Sequence, residues 1–352
     1  MKPLKDRHSP AYEAAKRFRR GVNLGDYLET PPGQSWISYS AADFASMHRE
    51  GFDHIRVPVA WQYYTGAAPE FRLEPEIFAK ADFVVTNALA NQLAVIIDLH
   101  HFSAFVSDPA GQMDKLLAIW RQVGAHYAAF PDTVVFDLFN EPHDGLTTAM
   151  MNPIYARLIA EVRKSNPRRT LMVEPGDWNK VGELKNLVLP PDDNVMVSIH
   201  CYEPYYFTHQ GASWGGPDVQ VTGIRFPGPP AEPLTPKPAL ELNPWVRKWI
   251  HDYNTLPTAE NPSSPAAFED LLKLARSWSD YYGRPVHIGE FGCYTSADAE
   301  SRARYHAALR RAAEAQHLGW AIWDWGAGFR YWDRRHNRPM PGLHEALFGT
   351  TR

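Results

Sequence analysis

The chain has 352 residues, 44% hydrophobic and 22% charged, which is enough apolar material for a large core at an ordinary charge content. A formal net charge of -4 supplies no basic patch for nucleic acid and no strong field for anionic ligands. Two cysteines, Cys201 and Cys293, imply no disulfide framework, and no window approaches the roughly 18 apolar residues of a membrane span.

The chain begins MKPLKDRHSPAYEAAKRFRRG, which is basic but lacks the apolar stretch of a secretory signal. A secreted or periplasmic address follows if a signal has been removed, and a cytoplasmic one otherwise. Eight short apolar runs come next: RGVNLG (20–25), FDHIRVPVAW (52–61), LAVIIDLHH (93–101), VVFDLFNEP (134–142), TLMVEPGDW (170–178), VMVSIHCYEP (195–204), PVHIGEFGC (285–293) and GWAIWDWGAG (319–328). Several are almost continuous in Val, Ile, Leu and Phe, as expected of parallel strands buried on both faces. Helical patterning separates them, as at 113–127, 155–164, 266–282 and 299–317. The alternation predicts one α/β domain over 1–352, a (β/α)₈ barrel. The rival, an open doubly wound sheet, calls for a G-x-G-x-x-G turn after the first strand, and RGVNLGDYLE has none. One connection departs from the pattern: residues 205–263 form a long insertion between the sixth strand and its helix, with eleven prolines between Pro217 and Pro265. Its expected place is a surface excursion over the active face, ending in a helix from about Ala266.

Polar side chains gather where the runs end. Arg56, His100, Glu141, His200, Glu290 and Trp323 all lie at or near C-terminal strand ends, the face where barrel enzymes assemble their chemistry. Glu141 and Glu290 form the candidate pair. Glycoside hydrolysis needs one carboxylic acid to protonate the leaving oxygen and a second carboxylate to meet the charge at the anomeric carbon. Strands four and seven lie on opposite sides of a barrel mouth, so both side chains can serve one cleft. A lone glutamate is an ordinary surface residue, but NEP and GEFG each close an apolar strand. A metal centre on His100 and His101 is the competing reading. Adjacent strand residues face opposite sides, and no HxH or HExxH motif accompanies them.

Together these positions resemble glycoside hydrolase family 5, the cellulase family of barrel glycosidases, from RGVNLG to GWAIWDW. Its eight recurring site positions match Arg56 in HIRVPV, His100 in DLHH, Asn140 and Glu141 in FNEP, His200 and Tyr202 in HCYEP, Glu290 in IGEFG and Trp323 in AIWDW. The resemblance implies that Glu141 is the acid/base and Glu290 the nucleophile. Arg56 and Tyr202 would keep Glu290 anionic, Asn140 would bind the sugar 2-hydroxyl, His200 would orient Glu141, and His100 would contact the bound sugar. A close ionised Glu290 is expected to hold Glu141 protonated by like-charge repulsion.

The stretch EPYYFTHQGASW (203–214) is similar to a segment of certain family 5 endoglucanases, some of which also cleave mannan. That similarity implies that His209, Trp214, His101 and Glu29 line the groove. Relatives carry NLGNxLE where this chain has NLGDYLE, so Asp26 replaces an Asn. Trp323 is the expected stacking platform at the cleavage point, while Trp61, Trp178, Trp214 and Trp325 fit core packing and sugar contact equally. The implied activity is endo-cleavage of β-1,4-glucosidic linkages with retention, on a β-linked oligo- or polysaccharide. Neither metal nor cofactor is expected to take part, nucleic acid and membrane are not expected partners, and a monomer is favoured. Alternatives within the family are a β-mannanase and an exo-acting β-glucanase or β-glucosidase, the latter if the long insertion narrows the groove. From another class, the alternative is a barrel that binds carbohydrate without cutting it.

Overall fold

The computed structural model describes residues 8–34 and 36–349. Eight strands close into a barrel in chain order: β1 (Arg20–Asn23), β2 (His54–Val57), β3 (Ala94–Asp98), β4 (Val134–Asp137), β5 (Leu171–Val173), β6 (Val195–His200), β7 (Val286–Phe291) and β8 (Gly319–Ile322). Each lies inside its predicted run. Most stop short of the run's end, so Glu141, Tyr202 and Trp323 ride on the irregular backbone just beyond a strand.

Every residue of β2, β3, β4 and β6 is buried, which is why those runs show no polar alternation. Period-2 geometry still divides the faces. The inner face is apolar at the strand starts, where Ala94, Ile96, Val135, Met172 and Met196 pack against Ala11, Ala14 and Phe18. The last three come from the helix Pro10–Ala15 and the turn after it. Ser9 caps that helix, and Pro10 fits its first turn, where no donor is required. Gly319 admits this plug, since a Cβ there would overlap the Phe18 carbonyl oxygen. Toward the strand ends the inner face turns polar, with Arg56, Asp98, Asp137, Ser198 and His200 all buried.

By compactness the chain divides into two units. One comprises Met1–His200, Ala275–Gly289 and Leu318–Ala321 and carries nearly all of the strand residues. The other comprises Cys201–Leu274, Glu290–His317 and Ile322–Arg352, the segments that follow β6, β7 and β8. Within it the insertion contains a helix that the sequence reading passed over, Pro244–Thr255. Asn243-Pro244 is its start signal, and Val246, Ile250 and Tyr253 form its buried face. Side chains satisfy the extended backbone around it. Asn254 pairs with both backbone groups of Leu234 at 2.8 and 2.9 Å, and the Arg225 N–H donates to the Tyr253 hydroxyl at 2.7 Å. Among the described residues no helix is long and apolar enough to cross a membrane.

Candidate active site

β2 delivers Arg56 into the barrel interior, where it is fully buried. A buried guanidinium needs partners. Arg56 lies 2.7 Å from Asp98, 3.4 Å from Asp137 and 3.3 Å from Glu174. It also donates to the side-chain carbonyls of Asn140 at 2.7 Å and Asn23 at 3.1 Å. The Asn140 bond fixes that amide with its oxygen toward Arg56, which leaves the NH₂ as the group to offer a ligand. The three acids differ in charge. Burial and the neighbouring Glu174 push Asp137 well above the carboxylate range, and burial brings Asp98 to about 6 against the pull of Arg56. Burial also pushes on Glu174, but His200, Arg56 and a hydrogen bond from Asp137 outweigh it and hold Glu174 at about 2. Glu174 is therefore the most readily ionised of the three, and Asp137 the one held protonated.

Glu141 follows β4 with φ at 44°, a left-handed conformation uncommon outside glycine. The turn is held by its own N–H, which donates to Glu174 Oε2 at 2.6 Å. Glu141 Oε1 lies 2.6 Å from His200 Nδ1, while His200 Nε2 lies 3.4 Å from Glu174. One buried imidazole thus stands between two carboxylates. Gly289 makes room for it, since a Cβ there would come within 3.0 Å of His200 Nε2. This arrangement corrects the expected ionisation of Glu141. Burial does push its carboxyl up and Glu174 adds repulsion, but the ion pair and hydrogen bond with His200 prevail and hold it below the usual range.

His100 is buried, its Nδ1 3.0 Å from Asp98, and burial together with Arg56 drives its imidazole down to about 3, so it is neutral. His101 is exposed, with φ at 55° and its ring edge-on to His100 at 4.2 Å. The expectation that the two face opposite sides is therefore corrected: β3 ends at Asp98, and strand alternation does not extend to them. Glu29 is buried, and its carboxylate accepts the backbone N–H groups of Asp26 and Tyr27, so it folds the loop after β1. Asp26 has φ at 59°, a conformation that Asn and Asp both tolerate, which accounts for the Asn-to-Asp difference from the resembling sequences.

In the second unit, Tyr202 donates its hydroxyl to Glu290 Oε2 at 2.8 Å, and Glu290 is 4% exposed. The Cys201 N–H donates to the Glu290 carbonyl at 2.9 Å, extending the β6 backbone alongside β7. The ring of His209 lies 4.9 Å from Tyr202, 4.4 Å from Tyr205 and 5.4 Å from Phe329, and burial lowers its imidazole to about 4. Trp214 is 62% exposed and edge-on to Tyr294 at 5.1 Å. Trp323 is half-buried, its N–H donating to the Phe291 carbonyl at 2.7 Å. The second glycine of GEFG belongs to this contact, because a Cβ on Gly292 would overlap the Trp323 carbonyl oxygen.

The remaining tryptophans separate by burial. Trp61 and Trp325 are core residues, the first with its indole N–H on the Asp98 carbonyl at 2.9 Å. Trp178 is 47% exposed and stacks on His143 at 4.0 Å. Sequence reasoning missed Glu174. The signal was present, since in VEPGDW an acid closes an apolar run just as Glu141 and Glu290 do.

A model of the family described as cellulase, glycosyl hydrolase family 5, matches residues 20–328. Endoglucanase H of Acetivibrio thermocellus is 26% identical over 318 residues, and Endoglucanase 3 of Fibrobacter succinogenes is 27% identical over 355. These alignments take in 90% and 95% of this chain but only 30% and 53% of the relatives, so the chain spans about half their length or less. Among solved structures, Thermotoga maritima Cel5A, determined with cellobiose and with mannotriose, superposes with a TM-score of 0.82 at 28% identity, over 96% of this chain and 100% of its own.

Proposed function

Since the chain belongs to the cellulase family, glycosyl hydrolase family 5, we propose that it cleaves β-1,4-glucosidic linkages within glucan chains by a retaining mechanism, with Glu141 as acid/base and Glu290 as nucleophile. In the first step a Glu290 oxygen bonds to the anomeric carbon as the glycosidic C–O bond breaks, and the Glu141 proton passes to the departing oxygen. In the second, water attacks the anomeric carbon and gives its proton to Glu141, and the ester bond to Glu290 breaks. A sugar that displaces water from Glu141 strengthens the burial effect that already pushes its carboxyl up, and so favours the acid form at the moment it is needed.

The observation that carries this reading is the unequal equipment of the two glutamates. Glu141 faces an imidazole that can hold its proton, at 2.6 Å, whereas Glu290 accepts from a phenol that stabilises its anion, at 2.8 Å. Glu141→Gln is expected to retain turnover of dinitrophenyl cellobioside, whose leaving group needs no proton, and to be accelerated by azide. Glu290→Gln is expected to lose both. Equal losses on activated and unactivated substrates in Glu141→Gln would overturn the assignment. Cleavage of β-mannan is the second reading, supported by the likeness to Thermotoga maritima Cel5A, whose structures include one with mannotriose. Product analysis on carboxymethyl cellulose, glucomannan and mannan separates the two.

A further inference from the structure

Single exposed aromatic rings are ordinary, whereas clustered ones mark a contact. The insertion helix Pro244–Thr255 carries one of the most exposed tryptophans among the described residues, Trp245 at 61%. Trp249, four residues on, lies on the same side of the helix. These rings are ordered. Trp245 begins the helix, one turn ahead of Trp249. Tyr206 meets Trp249 edge-on at 5.3 Å, and Trp249 stacks on buried Tyr253 at 5.5 Å with only 12° between the rings. The helix itself is anchored by Asn243 to Asp218 and by Asn254 to Leu234. A surface indole on a helix pinned at both ends, next to a packed Trp249, is a preformed platform.

The platform also continues toward the nucleophile. Tyr206 lies 5.8 Å from Tyr205, Tyr205 stacks on His209 at 4.4 Å, and His209 packs on Tyr202 at 4.9 Å, the residue whose hydroxyl holds Glu290. Each ring step is between 4.4 and 5.8 Å, so ring contacts run unbroken from the Glu290 partner to Trp249 on the insertion helix. Tyr and Trp combine an apolar face with a polar edge, the chemistry that suits a pyranose ring with its C–H faces and equatorial hydroxyls. We propose that the insertion helix adds an outlying sugar-binding platform, centred on Trp245, for the distal rings of a β-linked glucan chain whose cleaved bond lies at Glu290. The proposal rests on the glycosidase reading above and deepens it: the insertion makes the protein select long chains.

The test is the ratio of kcat/KM for cellohexaose to that for cellotriose. In Trp245→Ala the ratio falls roughly three- to tenfold, the range expected for losing one aromatic contact. Trp245→Tyr recovers part of it, and Tyr281→Ala, an exposed aromatic on another helix, leaves it as in the unaltered protein. Calorimetric affinity for cellohexaose in the Glu290→Gln background weakens in parallel. A ratio and affinity within twofold of the unaltered protein in Trp245→Ala overturn the platform while leaving the glycosidase reading intact. Absence of turnover on every cello-oligosaccharide overturns the glycosidase reading, and the platform with it. A ratio that depends on protein concentration assigns Trp245 to self-association instead and also overturns the proposal.

Discussion

Replacing His200 with Phe keeps the ring volume and removes both nitrogen contacts, so it isolates what the imidazole does to Glu141. In the unaltered protein four influences act on that carboxyl: burial and Glu174 push it up, while His200 and His100 pull it down. His200 acts through a contact of 2.6 Å and is the influence that decides the sign. A hydrogen bond to a charged group contributes about 1.5–3 kcal/mol, which at 1.36 kcal/mol per pKa unit is about 1–2 units. Without it, burial and Glu174 stand almost unopposed, and the Glu141 carboxyl moves from below its ordinary value to above it. The alkaline limb of kcat/KM against pH reports the essential acid of the free enzyme. It is therefore expected to shift by about 1–2 units to higher pH, with a lower plateau because Glu141 is no longer oriented. Hydrolysis of cellotetraose, whose sugar leaving group needs the proton, measures this from pH 3 to 9, with near-ultraviolet circular dichroism to verify the fold. An alkaline limb that stays in place, or moves to lower pH, would refute the claim that His200 governs the Glu141 charge.

Glu174→Gln removes a buried ionised acid from around Arg56 and is expected to destabilise the barrel by about 3 kcal/mol, the scale for breaking a buried pair, read as a lower urea midpoint at pH 7. Because the Glu174 carboxyl sits at about 2, its stabilisation is complete above its ordinary value and is lost as pH falls toward 2, so the variant and the unaltered protein should converge in acid. Glu29 has the opposite sign. Burial raises it to about 8, so its contribution is complete below its ordinary value of 4.5 and fades as pH rises to 8. Urea midpoints of Glu29→Gln should lack that part of the decline between pH 5 and 8. Gly292→Ala forces the Trp323 backbone to move, and a displacement near 1 Å at a site costs on the order of 100-fold in kcat/KM; an unimpaired variant would show that the close approach is dispensable.

The eight strands were legible because two-sided burial writes itself as unbroken apolar runs, and every run holds its strand. The residues after the strands were legible as identities but not as conformations. Strand alternation separated His100 from His101, yet backbone with φ at 55° brings their rings together. The charge of Glu141 was misjudged for a related reason. Its decisive neighbours, His200 and Glu174, lie 59 and 33 positions away in sequence and meet it only because β4, β5 and β6 are adjacent. Trp61 and Trp178 show the same limit: each follows a strand, and only packing separates a core indole from an exposed one.

The plug at the strand starts bears on which substitutions the barrel floor can absorb. Ala11, Ala14 and Phe18 fill the apolar end of the cylinder, opposite the buried polar groups Arg56, Asp98 and His200. Substitutions of Ala11 or Ala14 by larger side chains would therefore press on Ile96, Val135 and the two methionines rather than on the buried polar groups at the other end of the strands.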